Sequence, residues 1–197
     1  MFYKLILNIF KLMVRILFGF EVVHAHKSPI PEGKLIVCSM HTSNLDPIFL
    51  AVAFPHQLHF MAKVELFQIP VFGYLLKKLG AFPVNRGSND IGAVKTAFKI
   101  LKENKAFAIF PEGTRYKEGE EKKGFKDGIS MIAYKSDSQI LPVYITKYPK
   151  LFQKVKAVIG DPVFIPRGNN NSFEAALYSE TSRIIMEKIE ELSEYAK

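Results

Sequence analysis

The sequence predicts an α/β fold, a parallel or mostly parallel sheet covered by helices, and three observations carry that expectation. Short apolar runs of strand length, among them LIVCSM (35–40), KAFAIF (105–110) and QILPVYI (139–145), are too brief for helices and rich in residues that suit buried strands. Between them lie longer segments whose apolar residues recur at helical spacing. Strand and helix alternate along the chain, the pattern of strands joined by crossover helices. At 197 residues and 48% hydrophobic content, the chain can build one sizeable core and is not a disordered polypeptide. No composition shift or internal repeat divides it, so the expected organisation is a membrane-surface helix and connection over 1–24 and a single α/β domain over 25–197.

Taken in order, the first twenty residues, MFYKLILNIFKLMVRILFGF, are dominated by large apolar side chains. Lys4, Asn8, Lys11 and Arg15 interrupt them at helical intervals and form one narrow polar stripe. Three positive charges argue against a spanning helix, and no convincing small-residue cleavage site follows Phe20, which argues against a signal peptide. An amphipathic helix lying in the membrane interface fits, with its broad apolar face in lipid and its cations on anionic head groups. A helix packed on the protein itself is the alternative. VVHAHKSPIPEG then reads as a connection after a short strand, punctuated by Pro29, Pro31 and Gly33. Strand 35–40 is followed by a short helix (47–54), a strand (57–62), a helix ending at Gly80 (69–80) and the brief strand AFPV. SNDIGAVKTAFKILKEN is a helix capped by Ser88 or Asp90. After strand 105–110 come a charged loop, a helix from about Gly128 to Lys135, strands 139–145 and 154–160, and a closing helix over 172–193. The inward face of that last helix is expected to carry Phe173, Ala176, Leu177, Ile184, Ile185, Ile189 and Leu192.

Twenty-seven basic residues against 19 acidic give a net charge of +8, which calls for an anionic partner: nucleic acid, an anionic membrane surface or a phosphate-bearing substrate. The single cysteine, Cys38, excludes an intrachain disulfide and sits in an apolar strand, where it fills core. With no cysteine pairs, structural zinc is disfavoured, and His24, His26, His56 and His59 read as loop or strand residues. GYLLKKLG lacks the glycine-rich anion cradle of a Walker A loop, and no G-x-S-x-G elbow occurs.

Three strand exits carry the chemistry. LIVCSM delivers His41 and Asp46, AFPV delivers Asn85 and Arg86, and KAFAIF delivers PEGTR, residues 111–115. In a parallel sheet these exits share one edge. His41 and Asp46, five positions apart, do not share a helical face, so a turn through Thr42, Ser43 and Asn44 is required to bring them together. Asp46 followed by Pro47 reads as N-cap and first helical residue, so the same residues also describe a polar loop with a capping Asp. Read functionally, His41 is a general base oriented by Asp46. Arg86 and Arg115 offer guanidinium forks suited to phosphate. Gly113 permits a tight turn, Glu112 is placed to fix an arginine or accept from a substrate hydroxyl, and Lys126 adds to the positive field. A base, its orienter and a phosphate site together describe removal of a proton from a hydroxyl on a phosphorylated substrate.

The set of motifs resembles the glycerophosphate acyltransferase superfamily, specifically the bacterial 1-acyl-sn-glycerol-3-phosphate acyltransferases. HTSNLD (41–46), including Asn44 and followed by Pro47, matches the H-x4-D block. GAFPVNR (80–86) matches the second block, FPEGTR (110–115) the third, FKDG (125–128) the segment after it, and LPV (141–143) the fourth. The resemblance implies a central mixed, largely parallel sheet flanked by helices, with an amino-terminal membrane-associated helix. It implies His41 and Asp46 as catalytic residues, and Asn44, Arg86, Glu112, Gly113, Thr114, Arg115 and Lys126 as substrate-binding ones. The implied reaction is acyl transfer from acyl-CoA or acyl carrier protein to the sn-2 hydroxyl of a lysophosphatidate, without a bound cofactor or metal. Oxyanion donors are expected from backbone N–H groups near the His41 turn. Implied partners are lysophospholipid, acyl thioester, an anionic membrane surface and acyl carrier protein, without nucleic acid, at the cytoplasmic face of the cell membrane, peripheral or monotopic. Glycerol 3-phosphate or another lysolipid is the alternative acceptor, and a non-enzymatic anionic-membrane-binding protein is the alternative from a different class. Asn85 departs from the pattern, standing where the family usually has an acidic residue before the arginine, and the amino-terminal segment has room for about one helix.

Overall fold

The computed structural model describes residues 2–25, 29–85, 90–116, 120, 124–165 and 171–197, with 171–174 as backbone alone. The elements run α1 (Phe2–Phe18), β1 (Glu21–His24), β2 (Leu35–Ser39), α2 (Asp46–Ala53), β3 (Leu58–Lys63), α3 (Phe72–Lys78) and β4 (Phe82–Val84). They continue α4 (Ile91–Lys102), β5 (Ala106–Ile109), α5 (Gly128–Ser136), β6 (Gln139–Ile145), β7 (Lys156–Ile159) and α6 (Asn171–Glu191). The seven strands form one sheet in the order β1-β7-β6-β2-β5-β3-β4. Every pairing is parallel except β6 with β7, so the sheet is mixed and largely parallel, as expected.

β2 lies between β5 and β6 and is buried along its whole length, which its uninterrupted apolar sequence requires. Successive side chains point to opposite faces. Ile36 and Cys38 enter the core beneath α4, α5 and α6, while Leu35 and Val37 enter the one beneath α1 and α2. Phe49, Phe54 and Phe107 are fully buried, and each contributes on the order of 2–3 kcal/mol by leaving water. Pro142 is tolerated inside β6 because its carbonyl faces the end of β7 and accepts from Gly160 N–H at 3.0 Å. The β6–β7 ladder begins one residue later, at Val143 and Ile159, so no partner strand needs the N–H that proline lacks.

Two helices depart from expectation. In place of a helix over 69–80, a 3₁₀ helix at Val64–Gln68 precedes α3, which begins only at Phe72. Pro70 forces Ile69 into an extended conformation, and the chain then reverses through a γ-turn at Val71 (φ 62°, ψ −53°), where Phe72 N–H donates to Pro70 O at 2.6 Å. Gly73 is required by close approach, since a Cβ there would stand 2.3 Å from the carbonyl oxygen of Phe67. On α6, Ile185 and Ile189 are buried, as is Leu192 at the start of the 3₁₀ turn that follows it, and Leu177 and Ile184 are partly so, but Ala176 is exposed and the Phe173 side chain lies outside the described residues. The inward face instead takes Thr181 and Ser182, and Ser182 exchanges a buried 2.8 Å hydroxyl bond with Ser130 of α5.

α1 divides its apolar residues between two opposite faces. Leu7, Val14 and Phe18 are buried against α2 and the sheet, whereas Phe2, Leu5, Ile9, Leu12 and Ile16 are exposed. At about 100° per residue these two lines lie on opposite sides of the helix, and Lys4, Asn8, Lys11 and Arg15 run along one flank. The broad apolar face expected to meet lipid is therefore partly claimed by the protein core. Among the described residues, no helix is long and apolar enough to cross a membrane.

Candidate active site

β2 ends at Ser39, and the chain turns through 40–45 before α2 begins at Asp46. Asp46 does not cap α2; it is the first helical residue, and its side chain folds back on the turn that precedes it. Its Oδ2 accepts Thr42 N–H and Ser43 N–H, both at 2.8 Å, and lies 3.0 Å from His41 Nδ1. A carboxylate can only accept, so Nδ1 carries the proton and the lone pair sits on Nε2. The opposite constraint comes from Phe110, at the exit of β5, whose ring stacks on the imidazole with centroids 4.3 Å apart and planes 18° from parallel. His41 and Asp46 are both buried. The turn thus directs the Asp46 carboxylate onto the imidazole and the preceding amides, not onto the start of α2 as a cap.

Parallel pairing of Cys38 with Ile109 carries on past the strand ends and brings His41 level with Glu112. Glu112 Oε1 accepts His41 N–H at 3.2 Å, so its carboxyl fixes the backbone of His41. Of the two arginines expected to pair with it, Arg86 lies outside the described residues, and among the described residues no ion pair joins Glu112 to Arg115. Burial is the main cause that pushes the Glu112 carboxyl up to about 7, with the nearby Asp46 charge adding to it; the amide bonds and Lys147 oppose the shift. Its Oε2 is buried without a hydrogen-bond partner among the described residues.

A test of Glu112 follows from proton linkage. Between pH 4.5 and about 7 the folded protein holds a proton that the unfolded chain releases, so stability falls as pH rises through this window and is level above it. Glu112→Gln keeps an acceptor for His41 N–H and removes the titration. Its melting temperature, relative to the unmodified protein, is expected to rise from about pH 5 to pH 8, by a free-energy difference on the order of 2–3 kcal/mol. A difference that does not change with pH would contradict this assignment.

Gly113 sits at φ 70°, a conformation glycine adopts freely, and its N–H closes the turn onto Phe110 O at 3.0 Å. Lys126 returns over this turn: its N–H donates to Pro111 O at 3.3 Å, and its Nζ would be 3.3 Å from a Cβ at Gly113. Thr114 Oγ1 donates to Arg115 O at 3.4 Å, and Arg115 and Asn44 are exposed on the same edge. Arg86 lies outside the described residues. Asn85 is exposed, and its N–H donates to Asp90 Oδ2 at 2.8 Å while the other Asp90 oxygen caps α4 through Ala93 N–H.

Several neighbours of His41 were not assigned from sequence. Tyr116 N–H donates to His41 O at 3.3 Å, and its hydroxyl, whose pKa burial raises, donates to Met40 Sδ at 3.5 Å. Tyr148 N–H donates to Thr42 Oγ1 at 3.3 Å, and the Tyr148 ring meets Tyr116 edge-on. The only sequence signal for these residues is that they follow the strands flanking β2. The expectation of oxyanion donors near His41 meets a limit here: the amides of His41, Thr42, Ser43 and Leu45 are already committed to Glu112, Asp46 and Ser43 Oγ. A cleft of about 510 Å³ lined by Glu32, His56, Gln57 and Lys105 opens at the amino-terminal edge of the sheet, away from His41.

Residues 21–146 match the family described as Acyltransferase. The chain belongs to this acyltransferase family. The matched region starts with β1 and ends just after β6, so it contains β2, the strand that leads into His41, and both of its neighbours. The chain is 35% identical over 167 residues to the 1-acyl-sn-glycerol-3-phosphate acyltransferase of Bacillus subtilis (strain 168), covering 82% of each sequence. It is 36% identical over 122 residues to the acyltransferase of the same name from Helicobacter pylori, covering 61% of this chain and 51% of that one. Its fold is similar to the crystal structure of the 1-acyl-sn-glycerophosphate (LPA) acyltransferase PlsC from Thermotoga maritima. That match has a TM-score of 0.66 at 28% identity and covers 94% of this chain and 78% of that chain.

Proposed function

We propose that this acyltransferase transfers a fatty acyl group from acyl-CoA or acyl carrier protein to the sn-2 hydroxyl of 1-acyl-sn-glycerol-3-phosphate, giving phosphatidic acid. The observation that carries the reading is the buried His41–Asp46 pair, 3.0 Å apart, set beside the Glu112–Arg115 turn at the carboxyl edge of the sheet. The names of the relatives support the acceptor. His41 Nε2 takes the hydroxyl proton as that oxygen attacks the thioester carbonyl carbon. The tetrahedral intermediate collapses by breaking the carbon–sulfur bond, and the proton held on His41 passes to the departing thiolate. Asp46 keeps the lone pair on Nε2 and stabilises the imidazolium. Arg115, Arg86 and Lys126 are assigned to the phosphate, with Thr114, Gly113, Glu112 and Asn44 shaping the acceptor site.

The exposed line Phe2, Leu5, Ile9, Leu12 and Ile16, flanked by Lys4, Lys11 and Arg15, supports placement of α1 on an anionic membrane surface. There the enzyme would act as a peripheral or monotopic protein of the cytoplasmic face and meet an acceptor already in the leaflet.

The deciding experiment is an acyl-transfer assay of the purified protein with lysophosphatidate, glycerol 3-phosphate and neutral lysolipids, each offered acyl-CoA and acyl carrier protein donors. Preference for lysophosphatidate supports the reading, and faster transfer to glycerol 3-phosphate or a neutral lysolipid overturns it. Arg115→Ala is expected to raise KM for phosphorylated acceptors by about 10–100-fold, the loss of a charge-assisted bond to phosphate, and to change KM for neutral lysolipids little. Equal losses on both acceptor classes would remove Arg115 from phosphate recognition.

A further inference from the structure

The loop between β6 and β7 presents two large apolar side chains to solvent at its tip: Leu151 is 60% and Phe152 80% exposed. Phe152 holds φ 61° and Tyr148 φ 52°, the left-handed region that bulky residues rarely adopt. Backbone strain of this kind persists where the surrounding structure imposes it, and it concentrates at functional positions. Both ends of the loop are tied. At one end Tyr148 N–H donates to Thr42 Oγ1, in the turn that carries His41. At the other, Phe152 N–H donates to Leu17 O at 2.7 Å and Val155 N–H to Phe18 O at 2.9 Å. Those carbonyls belong to the last turn of α1, where a helix has no partners of its own for them.

Loop and helix end therefore form one unit. Ile16, exposed on α1, immediately precedes the residue to which Phe152 is bonded. Arg15, Lys150 and Lys154 are exposed around the same corner, with Lys154 bonded to Glu21 at 2.6 Å. Apolar side chains ringed by cations are complementary to an anionic bilayer, with hydrocarbon for the former and head groups for the latter.

We propose that Leu151 and Phe152 are a second bilayer-inserting element, which anchors the catalytic-turn side of the protein beside α1. The proposal rests on the membrane-surface reading of α1 given above. The loop spans the distance between lipid contact at Phe152 and the catalytic turn at Thr42 in four residues, so the mouth of the site is held at the leaflet that supplies a lipid acceptor.

The chain contains no tryptophan, so Phe152→Trp creates a single fluorescent reporter at the tip, and Leu151→Trp a second one if the first does not fold. With vesicles of phosphatidylglycerol and phosphatidylcholine, the expected result is an emission shift to shorter wavelength and quenching by lipid brominated in its acyl chains. Leu151→Ser/Phe152→Ser is expected to weaken sedimentation with these vesicles by about ten-fold or more at an unchanged melting temperature. Full sedimentation of the reporter variant without an emission shift overturns the loop proposal and leaves the α1 reading standing. Absence of sedimentation overturns both. An emission shift produced by acyl carrier protein in place of vesicles also overturns it, in favour of a protein-docking role.

Discussion

His41→Ala is expected to lower the acyl-transfer rate by about 10³-fold or more, within the range that a positioned general base contributes, while the protein stays folded. The fold should survive because Asp46 Oδ2 retains its bonds from Thr42 and Ser43 N–H. What is lost structurally is the bond from Nδ1 to Asp46 and the contact with Phe110, each on the order of 1 kcal/mol. A single-turnover assay beside a thermal melt checks both halves. Near-normal turnover would remove His41 from the reaction, and loss of the melting transition would show the histidine to be a core residue first.

The second large effect is expected at Asp46, where two substitutions separate charge from scaffolding. Asp46→Ala leaves the amides of Thr42 and Ser43 without their acceptor in a part-buried turn, which should cost about 2–4 kcal/mol of stability in addition to most of the activity. Asp46→Asn can still accept from these amides through its carbonyl oxygen. One oxygen, Oδ2, serves both amides and His41 Nδ1, so the amide oxygen in its place also accepts from Nδ1–H and keeps the tautomer; what is lost is the negative charge that stabilises the imidazolium. Its rate is expected to fall by about 10²-fold or more with a smaller change in melting temperature. The two variants should therefore both be slow and should differ in stability. If Asp46→Asn keeps near-normal turnover, the aspartate serves the turn and its charge does not support the base.

What could be read in advance followed from distance along the chain. His41 and Asp46 are close enough in sequence for one turn to join them, and the sequence carries the turn-forming residues that do so. The PEGTR turn was legible for the same reason, with Gly113 adopting the positive φ that its position requires. Phe110 against His41, Glu112 beneath its amide and Tyr148 on Thr42 were not legible, because each depends on β2 standing between β5 and β6. Hydrophobic periodicity identifies strands but not their order. α1 shows the same boundary: its pattern marked which residues are apolar, and only packing separated the buried Val14 from the exposed Ile16. At α3 the local rules competed, since the apolar periodicity ran on through 69–71 while Pro70 prevented the helix from starting there.

The strand order also has a consequence for how the enzyme comes into being. β2, near the start of the chain, pairs with β5 at Ala106–Ile109 and with β6 at Gln139–Ile145, and the amide of His41 is held by a carboxyl 71 residues away. Contacts of such separation are closed late, after the local helices have formed. During synthesis α1 emerges from the ribosome well before β6, so the polypeptide has its amphipathic helix long before the turn that carries His41 is complete. The imidazole is then present before the carboxyl that holds its backbone, and the whole arrangement is completed in one step when the final third of the sequence threads in beside β2.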